Sequence, residues 1–216
     1  NLIYVGHIQD AIAPSHMSIA GFLKNNQWAE AINAAAPLAS MLIVAGRIGE
    51  TLELIDKMQD TILKTNNPVI KALAANFQAY ALHLSGEDKT AKVLFEQAEE
   101  ILVQSDPGSP VFFPTASSFY CKYLLDIGSY QKALDRSLMT FAWRKQKSWQ
   151  VAIDTTSLLA SDIQVLGLIF LELGDIANAK VYLDRQVNLF KSADEWLYLP
   201  TGLNARARLH IKMNEF

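Results

Sequence analysis

The sequence predicts an all-α protein, an α-α superhelix of about five helix-turn-helix repeats, each about 40 residues long. Three observations carry that expectation. A short turn signature returns at a nearly constant interval. The stretches between turns show helical periodicity. A small residue recurs at one register inside those stretches.

The signature is a Gly, usually an apolar residue two positions on, and a small residue three after that. Gly6–Ile8–Ala11, Gly46–Ile48–Thr51, Gly86–Asp88–Ala91, Gly128–Tyr130–Ala133 and Gly174–Ile176–Ala179 are the complete copies. Asn214–Glu215–Phe216 begins a sixth. Successive turns lie 40, 40, 42, 46 and 40 residues apart. A period of this size marks stacked helical units, each covering its neighbour's apolar flank. Gly suits the left-handed residue that closes a helix, and Asn is the next most tolerant type.

The helices before the turns are predicted over Gln27–Ala45, Pro68–Ser85, Pro110–Ile127, Trp149–Leu173 and Glu195–Met213. Their partners after the turns are Ile48–Lys64, Asp88–Gln104, Tyr130–Lys145 and Ile176–Lys191. All are rich in Ala, Leu, Lys, Glu and Gln, which are good helix formers. Apolar residues recur at three- and four-residue steps, as in Leu52, Ile55, Met58 and in Val93, Leu94, Ala98, Ile101. Pro68 and Pro110 mark helix starts, where a missing N–H costs nothing. Pro14 falls inside the stretch after Gly6 and predicts a break, with a restart near Ser15. The longest interval predicts a longer helix from Trp149.

Seven residues before each later turn stand Ala39, Ala79, Cys121, Gly167 and Ala207. Small side chains at a fixed register let two helices approach closely. Four before the turn stand Leu42, Leu82, Leu124, Phe170 and His210, which fill the groove beside them.

The chain has 216 residues, 50% hydrophobic and 19% charged, which is enough for a packed core and excludes a disordered chain. A net charge of −3 gives no pointer to nucleic acid or to a membrane surface. No apolar run approaches the roughly 20 residues of a membrane-spanning helix. The single cysteine, Cys121, forbids an internal disulfide and fits a reducing cytoplasm. Residues 1–216 read as a single helical-repeat domain, a fragment of a longer protein, since the chain opens on Asn1 and stops at an incomplete turn.

No catalytic or metal-binding pattern emerges. Gly46–Arg47–Ile48–Gly49 lacks the Lys-Ser/Thr of a phosphate loop. His7, His16, His83 and His210 are scattered over different repeats. Glu96, Glu99 and Glu100 read as a solvated face, and Cys121 occupies a packing slot. No enzyme activity, metal or cofactor is expected.

Leu166, Gly167, Phe170, Gly174, Asp175 and Ala179 resemble the tetratricopeptide repeat (TPR), and Tyr120, Leu124, Gly128, Tyr130 and Ala133 form the next copy. The interval exceeds that family's usual one of about 34 residues. The long form is similar to the C-terminal sensor region of bacterial STAND ATPases, including activators of the maltose-regulator type. Leu197–Phe216, with Tyr198, Leu199, Pro200 and Ala205–Arg206–Ala207–Arg208, carries that likeness. The chain departs from the pattern at Asp88, Gln78 and Arg206, where apolar residues are usual.

The resemblance implies a TPR-like solenoid whose first helices line a concave groove. Its lining positions carry Asn76, Tyr80, Ser118, Lys122, Gln164, Asn204 and Arg208. Carboxamides can hold a peptide backbone, Tyr80 would anchor an apolar side chain, and Lys122 and Arg208 would meet an anion. Asn76 and Tyr80, or Ser118 and Lys122, do not reproduce the Lys and Asn clamp for chaperone tails. The expected function is a non-catalytic module that binds a protein or peptide. The alternative is a small-effector sensor domain of a STAND-type signalling ATPase or transcription activator. Neither reading expects this segment to bind nucleic acid directly or to enter a membrane.

Overall fold

A computed structural model describes residues 8–105, 114–147, 156–192 and 198–214. Every regular element among them is a helix. In chain order they are α1 (Ile8–Lys24), α2 (Trp28–Val44), α3 (Ile48–Lys57), α4 (Gln59–Lys64), α5 (Pro68–Leu84) and α6 (Asp88–Ser105). Then follow α7 (Pro114–Asp126), α8 (Tyr130–Lys147), α9 (Thr156–Glu172), α10 (Ile176–Ser192) and α11 (Leu199–Asn214). None of the described helices is long and apolar enough to cross a membrane.

The turn signature translates directly into backbone geometry. Gly46, Gly86, Gly128 and Gly174 have φ of 73, 89, 76 and 81°. At each, the glycine N–H donates to the carbonyl three residues back, and the next N–H donates five back. At Gly128 these bonds run to Leu125 O (3.1 Å) and from Ser129 N to Leu124 O (2.8 Å). That is the Schellman closure, which satisfies carbonyls a helix end leaves open. Asn26 forms a fifth closure with φ of 56°, its neighbour Gln27 donating to Phe22 O. Asn66 and Asn67 mark another connection, where the Asn67 side chain accepts from Val69 N at 3.0 Å and Pro68 opens α5. Asp175 likewise accepts from Asn178, through its side chain and its backbone N–H, and these bonds lower the Asp175 pKa. Gly6 lies outside the described residues.

Three details differ from expectation. The first concerns Pro14, which does not break the helix: α1 runs unbroken from Ile8 to Lys24 with Pro14 inside it. Pro14 lies on the exposed side, where the missing helical N–H and the ring are accommodated next to water. Second, the stretch predicted as one helix over 48–64 is divided at Met58 into α3 and α4. The Met58 N–H is shared between Leu54 O (3.2 Å) and Ile55 O (3.0 Å), tightening that turn while its side chain stays buried. Third, α11 begins at Leu199, four residues after the expected start, with 193–197 outside the described residues. The longer helix expected from Trp149 also falls partly outside them, since α9 is described only from Thr156.

The described residues form two compact units, one reaching to Phe119 and one running from Tyr120. In the first, α2 packs against α1, α3, α4 and α5, while α5 pairs with α6. Its fully enclosed side chains include Leu38, Met41 and Phe95. The second unit is centred on α9, which touches α8, α10 and α11. Its enclosed side chains include Ile163, Leu166, Ile169 and Leu183.

The small residues act as the register predicted. Thr51, Ala91, Ala133 and Ala179, each five after a turn glycine, are all 0% exposed, and Ala11 is 3% exposed. Ala39, Ala79, Cys121 and Gly167 are buried as well. Ala207 is the exception and is exposed.

Candidate binding surface

The seven residues expected to line a groove fall into different environments. In the first unit Asn76 is 0% exposed, and neither polar atom of its carboxamide has a hydrogen-bond partner among the described residues. One turn later Tyr80 is buried and stacks on Phe119, with centroids 4.8 Å apart. Phe119 also receives Phe77 edge-on at 5.2 Å. Ser118 is buried beside Phe119 in sequence. For the first two the physical reason is packing: α5 lies against α2, α3 and α6, and Asn76 and Tyr80 are enclosed on it.

In the second unit Gln164 is buried, and its Nε2 donates to Thr201 O at 2.9 Å. That bond ties α9 to α11. Arg208 is exposed and donates from Nη2 to Glu172 Oε1 at 2.6 Å, a second tie between the same helices. Asn204 is exposed one turn before Arg208. Gln164, Asn204 and Arg208 therefore gather on the α9–α11 pair. Arg206, where an apolar residue was expected, reaches Asp184 Oδ1 on α10 at 2.9 Å. Asp88, the other departure, lies with its carboxylate 2.6 Å from His83 Nδ1 across the Gly86 turn.

Lys122 keeps part of its surface, yet burial around its ammonium holds its pKa below the ordinary lysine value. The charges of Asp126 and Asp162 oppose that shift without cancelling it. The unfolded chain thus binds this proton more tightly than the folded one. Stability should rise with pH between the lowered folded value and the ordinary value of 10.5. Denaturation midpoints of wild type and Lys122→Met, measured at intervals from neutral pH to about pH 10.5, check this. The alkaline gain should be smaller in Lys122→Met, and identical slopes would contradict it.

Other chemistry-bearing contacts were not expected from the sequence. The Arg136 guanidinium lies 4.4 Å from the Tyr120 ring centroid, and Lys132 Nζ stands 3.3 Å from Tyr120 Oη. The spacing of Lys132 and Arg136 on one face of α8 was a signal, but their aromatic partner sits on another helix. Asp162 and Glu172 were missed too. They are the only charged residues in α9, and that isolation was the clue. Among the described residues no group of three or more His, Cys, Asp or Glu side chains converges as a metal site would.

An apolar cavity of about 30 Å³ opens between α2, α3 and α5. Ala36, Ala39, Leu54, Met58, Leu73 and Phe77 are among its walls. It has room for about one water molecule and offers that water no polar partners.

These features define the class: an all-helical protein of hairpins closed by left-handed Gly turns and keyed by small buried residues. No protein-family model and no curated protein matches the chain.

Proposed function

We propose that this chain is a non-catalytic interaction module, a TPR-like solenoid that binds a protein or peptide through its first-helix faces. The observation that carries the reading is the repeated hairpin: Schellman turns at Gly46, Gly86, Gly128 and Gly174, each followed five residues on by a fully buried small residue. Elements built to one plan pack by one rule, and such packing presents an extended surface rather than a closed site. A cytoplasmic setting belongs to the same proposal, and a place within a STAND-type ATPase or transcription activator belongs to the sensor alternative.

The most accessible of the candidate ligand contacts are Asn204 and Arg208 on α11. Asn204 offers a donor and an acceptor to a peptide backbone, and Arg208 offers a second anion its remaining guanidinium edge. Panning a random peptide display library on the folded chain tests the reading. Selected peptides should bind wild type and lose about tenfold or more in affinity, roughly 1.4 kcal/mol, to Asn204→Ala/Arg208→Ala. Both side chains are exposed, so the thermal midpoint should barely move. Peptides insensitive to the double variant would move the site off this face.

The sensor alternative asks for an enclosed pocket of roughly 300 Å³ or more. The cavity beside Leu54 and Phe77, at about 30 Å³, is too small to be that pocket.

A further inference from the structure

Two departures from the chain's own pattern meet across a single turn. Three residues before the turn glycines stand Ile43, His83, Leu125 and Leu171, and two after them stand Ile48, Asp88, Tyr130 and Ile176. Outside the α5–α6 hairpin these positions are all aliphatic or aromatic. Ile43, Leu125 and Leu171 are buried, and Ile48, Tyr130 and Ile176 are half-buried. In the α5–α6 hairpin both positions carry ionisable groups instead, and the two groups touch. His83 Nδ1 lies 2.6 Å from Asp88 Oδ1, with the His83 side chain only 12% exposed. A carboxylate has no proton to give, so Nδ1–H donates whether the ring is neutral or charged. A second proton, on Nε2, converts this bond into a charge-assisted one. The same ring lies 6.0 Å from Tyr80, which stacks on Phe119 of α7.

We propose that His83 and Asp88 form a proton-operated clip, which tightens the α5–α6 hairpin as pH falls through the range where imidazole titrates. Charged groups on the neighbouring elements leave this role to Asp88. Glu87 and Lys89 beside it are exposed, and so is every Asp, Glu and Lys of α3 and α4. Arg47 is held by Glu50. The only charge of α2 is Glu30, in its first turn, and residues 114–119 of α7 have none. Lys71 on α5 and Glu99 on α6 are half-buried but stand about three turns from the pair. Protonation stabilises the folded hairpin because the unfolded chain holds no carboxylate against this imidazole. The extra stability is therefore present at low pH and is lost as pH rises through the His83 transition. Through Tyr80 the charge on this ring also bears on the stack with Phe119.

An NMR titration of the imidazole C–H signals in the full chain tests the clip, with the His83 signal assigned by its loss in His83→Gln. In Asp88→Asn the His83 transition should fall by about half a pH unit or more, while the other histidine signals do not move. A second variant, His83→Leu/Asp88→Ile, gives this hairpin the apolar pair its neighbours carry and so keeps it folded. Thermal midpoints are then compared from about pH 5 to pH 8. Wild type should lose stability relative to the double variant as pH rises. The charge of Asp88 in the first turn of α6 contributes a constant offset over this window, so the slope alone reports the clip. A His83 transition unmoved in Asp88→Asn, or a midpoint difference that is flat with pH, overturns the proposal.

Discussion

Gly167→Ala should destabilise the protein by about 1–3 kcal/mol, although alanine is the better helix former. Gly167 sits inside α9, where the backbone is ordinary and only space decides the outcome. A Cβ there would stand 2.6 Å from Leu183 Cδ2, 2.7 Å from Leu183 Cγ and 3.3 Å from the Leu183 backbone N. Leu183 is itself 0% exposed, so its side chain has no empty room to enter. The helices must separate or Leu183 must leave its rotamer. Chemical denaturation reads the loss as a lower midpoint at unchanged slope. In a chain of this size each kcal/mol moves Tm by about 2–4 °C. Adding Leu183→Ala should relieve part of the strain, giving a non-additive double-mutant cycle. A Gly167→Ala protein as stable as wild type would show that α9 and α10 do not meet this closely.

Phe190→Ala should cost still more, about 3–5 kcal/mol. Phe190 is 1% exposed and belongs to a buried cluster with Ala160, Val187 and Leu199. Tyr198 stacks on it at 5.8 Å with 19° between the rings. These residues come from α9, α10 and the start of α11, so truncation empties a site shared by three elements. Neighbours fixed on three helices collapse poorly into such a space, which places the cost in the upper part of the range for large core residues. Phe190→Leu, which keeps most of the volume, should lose less than about 1.5 kcal/mol. Equal midpoints for wild type and Phe190→Ala would remove this cluster from the core.

Much of the fold is legible in the chain because its determinants are local. A residue closing a helix with positive φ must be Gly or something nearly as tolerant, and that requirement marks the turns at Gly46, Gly86, Gly128 and Gly174. A small residue five after each turn is a packing requirement that needs only a neighbouring helix, whichever it is. Asn26 went unread because an Asn makes a weaker mark than a Gly, though its φ of 56° serves the same closure. Pro14 misled because proline's effect depends on which side of the helix it occupies, and position alone does not say that Pro14 faces water. The division at Met58 left no breaker residue to see.

The candidate surface was harder to read. Asn76, Tyr80, Ser118 and Gln164 were chosen by repeat position, and the structure buries all four. Arg208 was chosen by the same rule and is exposed, yet Glu172 already holds one edge of it. Positions equivalent in the repeat are not equivalent in environment, since each depends on how near the next helix comes. Ala207 and Gly167 share a register, but one meets Leu183 and the other meets solvent.

By itself the sequence determined the helical class, the hairpin boundaries and the small-residue register. These follow from backbone sterics and from a periodicity that a single chain displays without reference to its neighbours. Only the tertiary structure decided which polar side chains are enclosed and which cations are already paired. Those outcomes are set by distances between segments far apart in the chain, such as the 2.9 Å from Gln164 to Thr201, and no local pattern encodes them.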